Sequence, residues 1–356
     1  MVQLNQVKSK ADFNSILLTD KSIKSTWSVR KLQLEKCSIY NVPSNYTPKA
    51  GDVVLIQIEK IANHTRIFSV DNKYSRLYIG DIIIGTLGYR YATEAFHAEI
   101  IDISKLHLLT NAGLIGTVES HHSKTNEPTQ GKLIGLVYDN SQKKRINLKE
   151  VKFPIHLPNL INQPTIFVVG TGMSSGKTTS TARVGKALIE NGISVSLLKV
   201  TGSVSSRDLA EFESTGVEYT SDFSDYGFPS TYLCTKDEVL ALYTTMVNDS
   251  MPHSSVTLIE IADGILQRET QMLLQSDIAK ASNIGVILTA PCSCSALTLI
   301  DKIRQLGYTP LAVTGLITNS PLFVREFADD DNTPVINTKT NIRQFVDIIS
   351  KRLENS

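Results

Sequence analysis

Between residues 165 and 190 one stretch leaves the chain few ways to fold. An apolar run, Ile166-Phe-Val-Val169, leads into Gly170-Thr-Gly-Met-Ser-Ser-Gly-Lys-Thr178, and the segment Lys177–Glu190 that follows is helix-forming. Glycines at 170, 172 and 176 allow a sharp turn and bring successive N–H groups toward one point. Strand, glycine turn and helix N-terminus in that order form an anion cradle, because the unpaired N–H groups of a first helical turn and the helix dipole both face the turn. Asn191-Gly192 closes the predicted helix. The predicted cradle is Gly170, Thr171, Gly172, Met173, Ser174, Ser175, Gly176, Lys177, Thr178 and Thr179. Lys177 is expected to reach the β- and γ-phosphates of a nucleoside triphosphate, ATP first, and the Thr178 hydroxyl to ligate Mg²⁺. One letter departs from G-x-x-x-x-G-K-[ST]: Thr171 stands where the pattern has glycine, and the glycine sits one residue earlier, at Gly170.

The rest of the chain has two rhythms. From Thr165 onward, apolar runs at Ile166–Val169, Val195–Val200, Val256–Ala262, Ile284–Ala290, Leu311–Thr318 and Val335–Ile336 alternate with helix-length amphipathic segments such as Thr235–Asn248. Near-continuous apolar strands separated by helices predict a doubly wound α/β domain with a mostly parallel sheet. From about Ser22 to Phe153 the chain instead reads as short strands, among them Val53–Glu59, Arg66–Val70, Ser75–Tyr78, Asp81–Gly85, Ala98–Ile103 and Leu133–Tyr138, divided by turn residues. That spacing predicts a smaller β-rich, barrel-like or sandwich domain. A helical stretch is expected at Lys8–Thr19, and prolines 154, 158 and 164 mark a linker. The expected division is 1–153, 154–164 and 165–356. With 356 residues the chain exceeds the roughly 250–300 at which single cores stop growing.

Net charge is +1, which offers no global field for nucleic acid or a membrane surface. The N-terminus lacks the apolar core of a signal peptide, and no apolar run approaches the ~20 residues of a membrane helix, so a cytoplasmic setting is expected. Cys37, Cys234, Cys292 and Cys294 lack zinc spacing and read as reduced thiols.

Carboxylates supply the remaining candidates. Asp208 and Glu260 lie near predicted C-terminal strand ends, the edge where α/β sheets bind ligands. With Thr178 they form a candidate Mg²⁺ set, since that ion takes carboxylate, hydroxyl and phosphate oxygens. Glu260 interrupts an apolar run, so burial and a metal or cationic partner are expected. Asp263 is read as general base, metal-supporting acid or cap. Arg268 and Glu269 are read as an exposed helical pair, solvated or paired. Gly227-Phe-Pro-Ser-Thr-Tyr232 is a loop, read as a proline turn or a pocket wall. In the β-rich half, Gly85-Thr-Leu-Gly88-Tyr-Arg90-Tyr-Ala-Thr93 admits two readings, a turn with a satisfied arginine or a patch for an acidic ligand. His64, His121 and His122 read as surface histidines.

The displaced glycine carries a resemblance. Gly170-Thr171 followed by Gly176-Lys177-Thr178 resembles the loop of dethiobiotin synthetase and its relatives, which include cobyrinic acid amide synthetases and molybdopterin-guanine dinucleotide adaptor proteins. It is also similar to a group of dethiobiotin-synthetase-like proteins with a branch linked to N-acylation of D-amino acids. The resemblance spans Thr165 to about Ile348. Lys199-Val-Thr-Gly202 looks like the family's Lys-Pro-Val-x-x-Gly, whose lysine contacts phosphate and substrate; here the proline is missing. Arg207-Asp208-Leu-Ala210 is similar to Ser-Asp-Ala, whose aspartate binds Mg²⁺. Ile259-Glu260-Ile-Ala-Asp263-Gly264 resembles Val-Glu-Gly-Ala-Gly-Gly, whose glutamate is a metal ligand; Ile261 and Asp263 replace the first two glycines after it. Gly315-Leu-Ile-Thr-Asn319 matches a strand end whose asparagine contacts the base, and no Asn-Lys-x-Asp guanine signature follows. The resemblance implies an Mg-ATP enzyme that activates a small carboxylate or carbamate by phosphoryl transfer, with Lys177, Lys199 and Asp263 as catalytic candidates, working as a homodimer. An adaptor or switch NTPase and an N-acyltransferase holding a coenzyme A phosphate are the alternatives.

Overall fold

The computed structural model describes residues 16–17, 22–151, 153, 155, 162–327 and 333–355. In its C-terminal half six strands form one sheet in the order Thr220–Asp222, Val195–Lys199, Val256–Ile261, Thr165–Gly170, Asn283–Thr289 and Pro310–Thr314. Every neighbouring pair is parallel. The sheet needs apolar side chains on both faces, and the sequence supplies them alternately. Phe167 and Val169 join the core on one face with Tyr243 and Met246 of the helix Lys236–Ser250. Ile166 and Val168 join the other core, with Val184 and Leu188 of the helix Lys177–Glu190 and Phe345 and Ile349 of the helix Arg343–Leu353. Helices therefore cover both faces, as a buried parallel sheet requires.

Thr165–Gly170 is a central strand between Val256–Ile261 and Asn283–Thr289. The chain leaves it, passes over Val256–Ile261 to Val195–Lys199, and later returns to fill the space between them. The returning strand Val256–Ile261 lays its C-terminal end beside those of Thr165–Gly170 and Val195–Lys199. Gly170 and Glu260 thus come together although 90 residues of sequence separate them, and such strand ends are where open α/β sheets bind ligands.

In the N-terminal half the strands Val53–Lys60, Ile82–Leu87, Leu114–His121, Leu106–Leu108 and Thr129–Asp139 pair in a ring that returns to its start. Val54, Ile56 and Ile58 enter one apolar cluster while Val53 and Leu55 enter another, the period-2 alternation of a strand with two covered faces. Phe96–Glu99 and Arg90–Tyr91 extend the sheet from Leu114–His121 toward the other half.

Several expectations are corrected. The fifth C-terminal strand stops at Thr314, because Gly315 turns the chain with φ +87° into the short 3-10 helix Gly315–Asn319. Val335 contributes only a single bridge to Val313. Thr220–Asp222 is an edge strand that sequence reading missed; its polar residues carry no strand signal. Leu114–His121 was missed as well, for it ends in Val-Glu-Ser-His. The helix expected at Lys8–Thr19 lies outside the described residues except for Ile16–Leu17, which pair as a strand with Ile39 and Ser38. Among the described residues no helix is long and apolar enough to cross a membrane.

Candidate active site between the two halves

The loop after Thr165–Gly170 is shaped by close approach. A side chain at Gly170 would lie 2.1 Å from Ser175 Oγ and 2.7 Å from Thr289 Oγ1. That crowding explains why the glycine stands at 170 in this chain: the two hydroxyls hydrogen-bond to each other at 2.7 Å across its bare Cα. Gly176, at φ +101°, is the residue before the helix and packs against Gly315. Lys177 begins the helix and is buried. Its ammonium donates to the Gly172 carbonyl at 2.7 Å and to the Asp263 carbonyl, so the lysine arches over the loop. Burial pushes its pKa down, opposed by the Glu260 and Asp263 carboxylates.

Behind the loop sits a buried charge cluster. Lys199, at the end of its strand, donates to Asp208 Oδ2 at 2.7 Å and to Glu260 Oε1 at 2.9 Å. Burial alone would lower the Lys199 pKa, but the two carboxylates outweigh it and the net shift is upward. The Thr178 hydroxyl donates to the same Glu260 oxygen at 3.2 Å. Glu260 is 1% exposed and its second oxygen, Oε2, has no partner among the described residues. Asp208 is the third residue of the helix Ser206–Glu213, in its first turn, where a carboxylate also meets the positive helix end. Burial pushes the Asp263 carboxyl up, against the pull of Lys177, Lys199 and Arg90.

The C-terminal half is an α/β P-loop fold.

No family model matches the chain, and no curated protein does. Among solved structures it is similar to the signal recognition particle receptor FtsY from Elizabethkingia anophelis, at 16% identity over 58% of this chain and 75% of that one, TM-score 0.37. The same receptor in complex with GDP gives 18% identity, 56% and 68% coverage, and TM-score 0.36. The hydrogenase maturation factor HypB from Archaeoglobus fulgidus gives 12% identity, 54% and 91% coverage, and TM-score 0.37. At such TM-scores the assignment rests on the chain's own strand order and loop geometry.

The candidate residues converge on a cavity of about 540 Å³ lined by both halves. Met173, Ser174, Gly176, Lys177, Thr178, Thr179, Lys199, Asp208, Glu260 and Asp263 all reach it. Asn319 does not line it and is exposed at the end of the turn Gly315–Asn319. From the β-rich half come His64, Arg90, Tyr91 and Asn111. Three of the seven buried side-chain polar atoms without a partner among the described residues, Glu260 Oε2, Arg90 Nε and His64 Nδ1, belong to residues of this cavity. A buried unpaired polar group is costly, which makes this cluster a candidate ligand site. A larger cavity, about 690 Å³, adjoins it and shares His64 and Asn111. That cavity has arginines 66 and 76 but no lysine or carboxylate in its wall, so the chemistry belongs to the smaller one.

The two halves are tied together around this space. Arg30 donates to Asp225 at 2.8 Å and to the Ser224 hydroxyl at 2.9 Å. Ser174, in the loop itself, donates its hydroxyl to Glu94. Tyr232 pairs with His97 at 3.4 Å and its ring lies tilted against that of Tyr91, so the Gly227–Tyr232 loop packs on the β-rich half. Two sequence readings fail here. Glu269 pairs with Arg268 at 2.6 Å, as one alternative had it, but it is not on an exposed face: it is fully buried and also accepts from the Leu233 N–H at 3.0 Å. His64 is not a surface histidine, and burial together with the Arg90 charge lowers its pKa to about 4.

Proposed function

We propose that this protein binds Mg-ATP on the loop Gly170–Thr179 and transfers the terminal phosphoryl group to an oxygen of a small acid held in the same cavity. The observation that carries the reading is the second buried lysine. Lys177 serves the loop, while Lys199 is buried with Asp208 and Glu260 in the wall of the same cavity. Simple nucleotide storage has no use for a second ammonium there, whereas phosphoryl transfer is catalysed largely by positioning and by countering charge on the moving group.

The donor set fits Mg²⁺. Glu260 Oε2 is a buried carboxylate oxygen without a partner, and Thr178 and Asp208 lie beside it, which is the oxygen chemistry a hard divalent ion takes. Bound there by Thr178, Asp208 and Glu260, the ion would neutralise phosphate oxygens. Lys177 holds the polyphosphate, Lys199 lies toward the transferred group, and an acceptor that binds protonated gives its proton to the Asp263 carboxylate, whereas an ionised acceptor attacks without a proton transfer. The bond from the γ-phosphorus to the bridging oxygen breaks, that oxygen keeps the electron pair, and a new phosphorus–oxygen bond forms to the acceptor. The likeness to dethiobiotin synthetase supports the acid as acceptor, the closed ring of N-terminal strands supports a small barrel as the second wall, and a homodimer belongs to the same reading.

The test is calorimetry with ATP and GTP in Mg²⁺, followed by phosphate release with and without a panel of small carboxylic acids and amines. Saturable heat and stimulation by an acid are expected; no heat with any triphosphate overturns the reading. A second reading, a nucleotide-driven switch, draws on the Ser174–Glu94 contact, because a polyphosphate at the loop tip would meet the Glu94 charge. Stimulation by a protein partner alone would favour it.

A further inference from the structure

Among the described residues, Arg90 is the one strongly basic residue that the β-rich half sends into the cavity. It lies in Arg90–Tyr91, a two-residue strand paired with Phe96–Glu99. Its orientation is over-determined. Nη1 donates to the Leu109 carbonyl, and the guanidinium carbon lies 5.7 Å from the centre of the Phe96 ring. Nε is buried and has no partner among the described residues. Burial pushes the guanidinium down to about 10, with Asp263 pulling the other way, so it remains charged at neutral pH. A purely structural arginine normally spends its donors on carboxylates or carbonyls; this one is clamped by a carbonyl and a ring and holds a buried donor in reserve. Across the cavity stand Lys177, Lys199 and Asp263, and Arg90 is near enough to Asp263 for their charges to interact. Neutral His64 beside it adds a second unpaired buried nitrogen without adding charge.

We infer that Arg90 is a catalytic arginine supplied by the β-rich half, binding an oxygen of the terminal phosphoryl group as that group leaves the nucleotide. The inference rests on the nucleotide reading above and deepens it: the P-loop half grips the polyphosphate from one side, and the guanidinium closes the charge from the other. An arginine so placed acts on charge that develops in the transition state, so it changes turnover far more than ground-state binding. It also assigns the β-rich half a chemical task, because without it the cavity would have lysines on one wall only.

The experiment compares the wild-type chain with Arg90→Ala and Arg90→Lys in Mg²⁺. Affinities for ADP and for ADP with aluminium fluoride, a mimic of the phosphoryl group in flight, are measured by calorimetry, and ATP hydrolysis by phosphate release. Expected for Arg90→Ala is wild-type ADP affinity, loss of the extra affinity that fluoride confers, and hydrolysis lowered about 100-fold, the scale of one lost oxyanion donor. Arg90→Lys keeps the charge and the packing of the stem but not the fork, and falls between the two. Added guanidinium ion partly restores hydrolysis in Arg90→Ala. The assignment is overturned if both variants keep the fluoride-dependent gain, or if ADP and its fluoroaluminate complex weaken by the same factor, which is what a structural role would give. Failure of the wild-type chain to bind ADP strikes the nucleotide reading itself, and the assignment falls with it.

Discussion

On the α/β wall of the cavity Lys199 sits 2.7 Å from Asp208 and 2.9 Å from Glu260, whereas on the β-rich wall Arg90 has, among the described residues, no carboxylate at hydrogen-bond distance and no partner for Nε. The first wall is internally compensated as it stands: its ammonium pairs with two carboxylates, which Mg²⁺ would take over in the proposed reaction, releasing the lysine toward the phosphoryl group. The second is held rigid by a backbone carbonyl and a ring, with charge to spare. The difference teaches how one cavity can both organise a metal and receive an anion. Buried carboxylates need cations to stay charged, and a ligand anion needs a cation that is not already neutralised.

Five substitutions would break or sharpen that contrast. The largest effect is expected from Lys177→Ala, which removes the ammonium arching over the loop; kcat/KM for ATP hydrolysis should fall about 1000-fold, with nucleotide affinity lost as well. Lys199→Ala should lower turnover about 100-fold while nucleotide still binds, as read by calorimetry beside phosphate release; unchanged turnover would remove Lys199 from the chemistry. It should also unfold at lower temperature in EDTA than in Mg²⁺, because Asp208 and Glu260 lose their cation.

Arg30→Ala tests what holds the walls together. It leaves buried Asp222 and Asp225 without their main counter-charge, a loss of about 3 kcal/mol in denaturant unfolding. Asp263→Asn probes the cost of the buried acid. Because burial raises the Asp263 pKa, the folded chain holds that proton more tightly than the unfolded one, and ionising it costs stability as pH rises above the ordinary carboxylate value of 3.8. The variant should therefore melt higher than wild type at pH 7, and the gain should vanish below pH 3.8. Asn319→Ala should change ATP affinity by no more than about 2-fold, the scale of an exposed surface change; a larger loss would mean that the base reaches the Gly315–Asn319 turn.

The helix Lys177–Glu190 was legible from its ends, Gly176-Lys-Thr at one and Asn191-Gly192 at the other. Glu260 was legible as a buried acid needing a cation, since an acid inside an apolar strand has few alternatives; the cation proved to be Lys199 through one oxygen only. Glu269 was misread because Arg-Glu at the start of a helix looks the same whether solvent or Leu233 covers it. Arg90 was ambiguous and His64 was misread for the same reason: their surroundings come from strands and loops far along the chain.

Local chemistry thus determined the phosphate loop, the helix behind it and the apolar rhythm of the parallel sheet, because turns, caps and strand periodicity depend on neighbours within a few residues. Which side chains face one another across the cavity was decided only by tertiary structure. The crossover brings Glu260 beside Thr178, and the packing of one half on the other carries Arg90 to the loop. Contacts between residues 80 or more positions apart leave no local periodicity, and burial, which decides whether a charge is spent or free, exists only once the two halves have met.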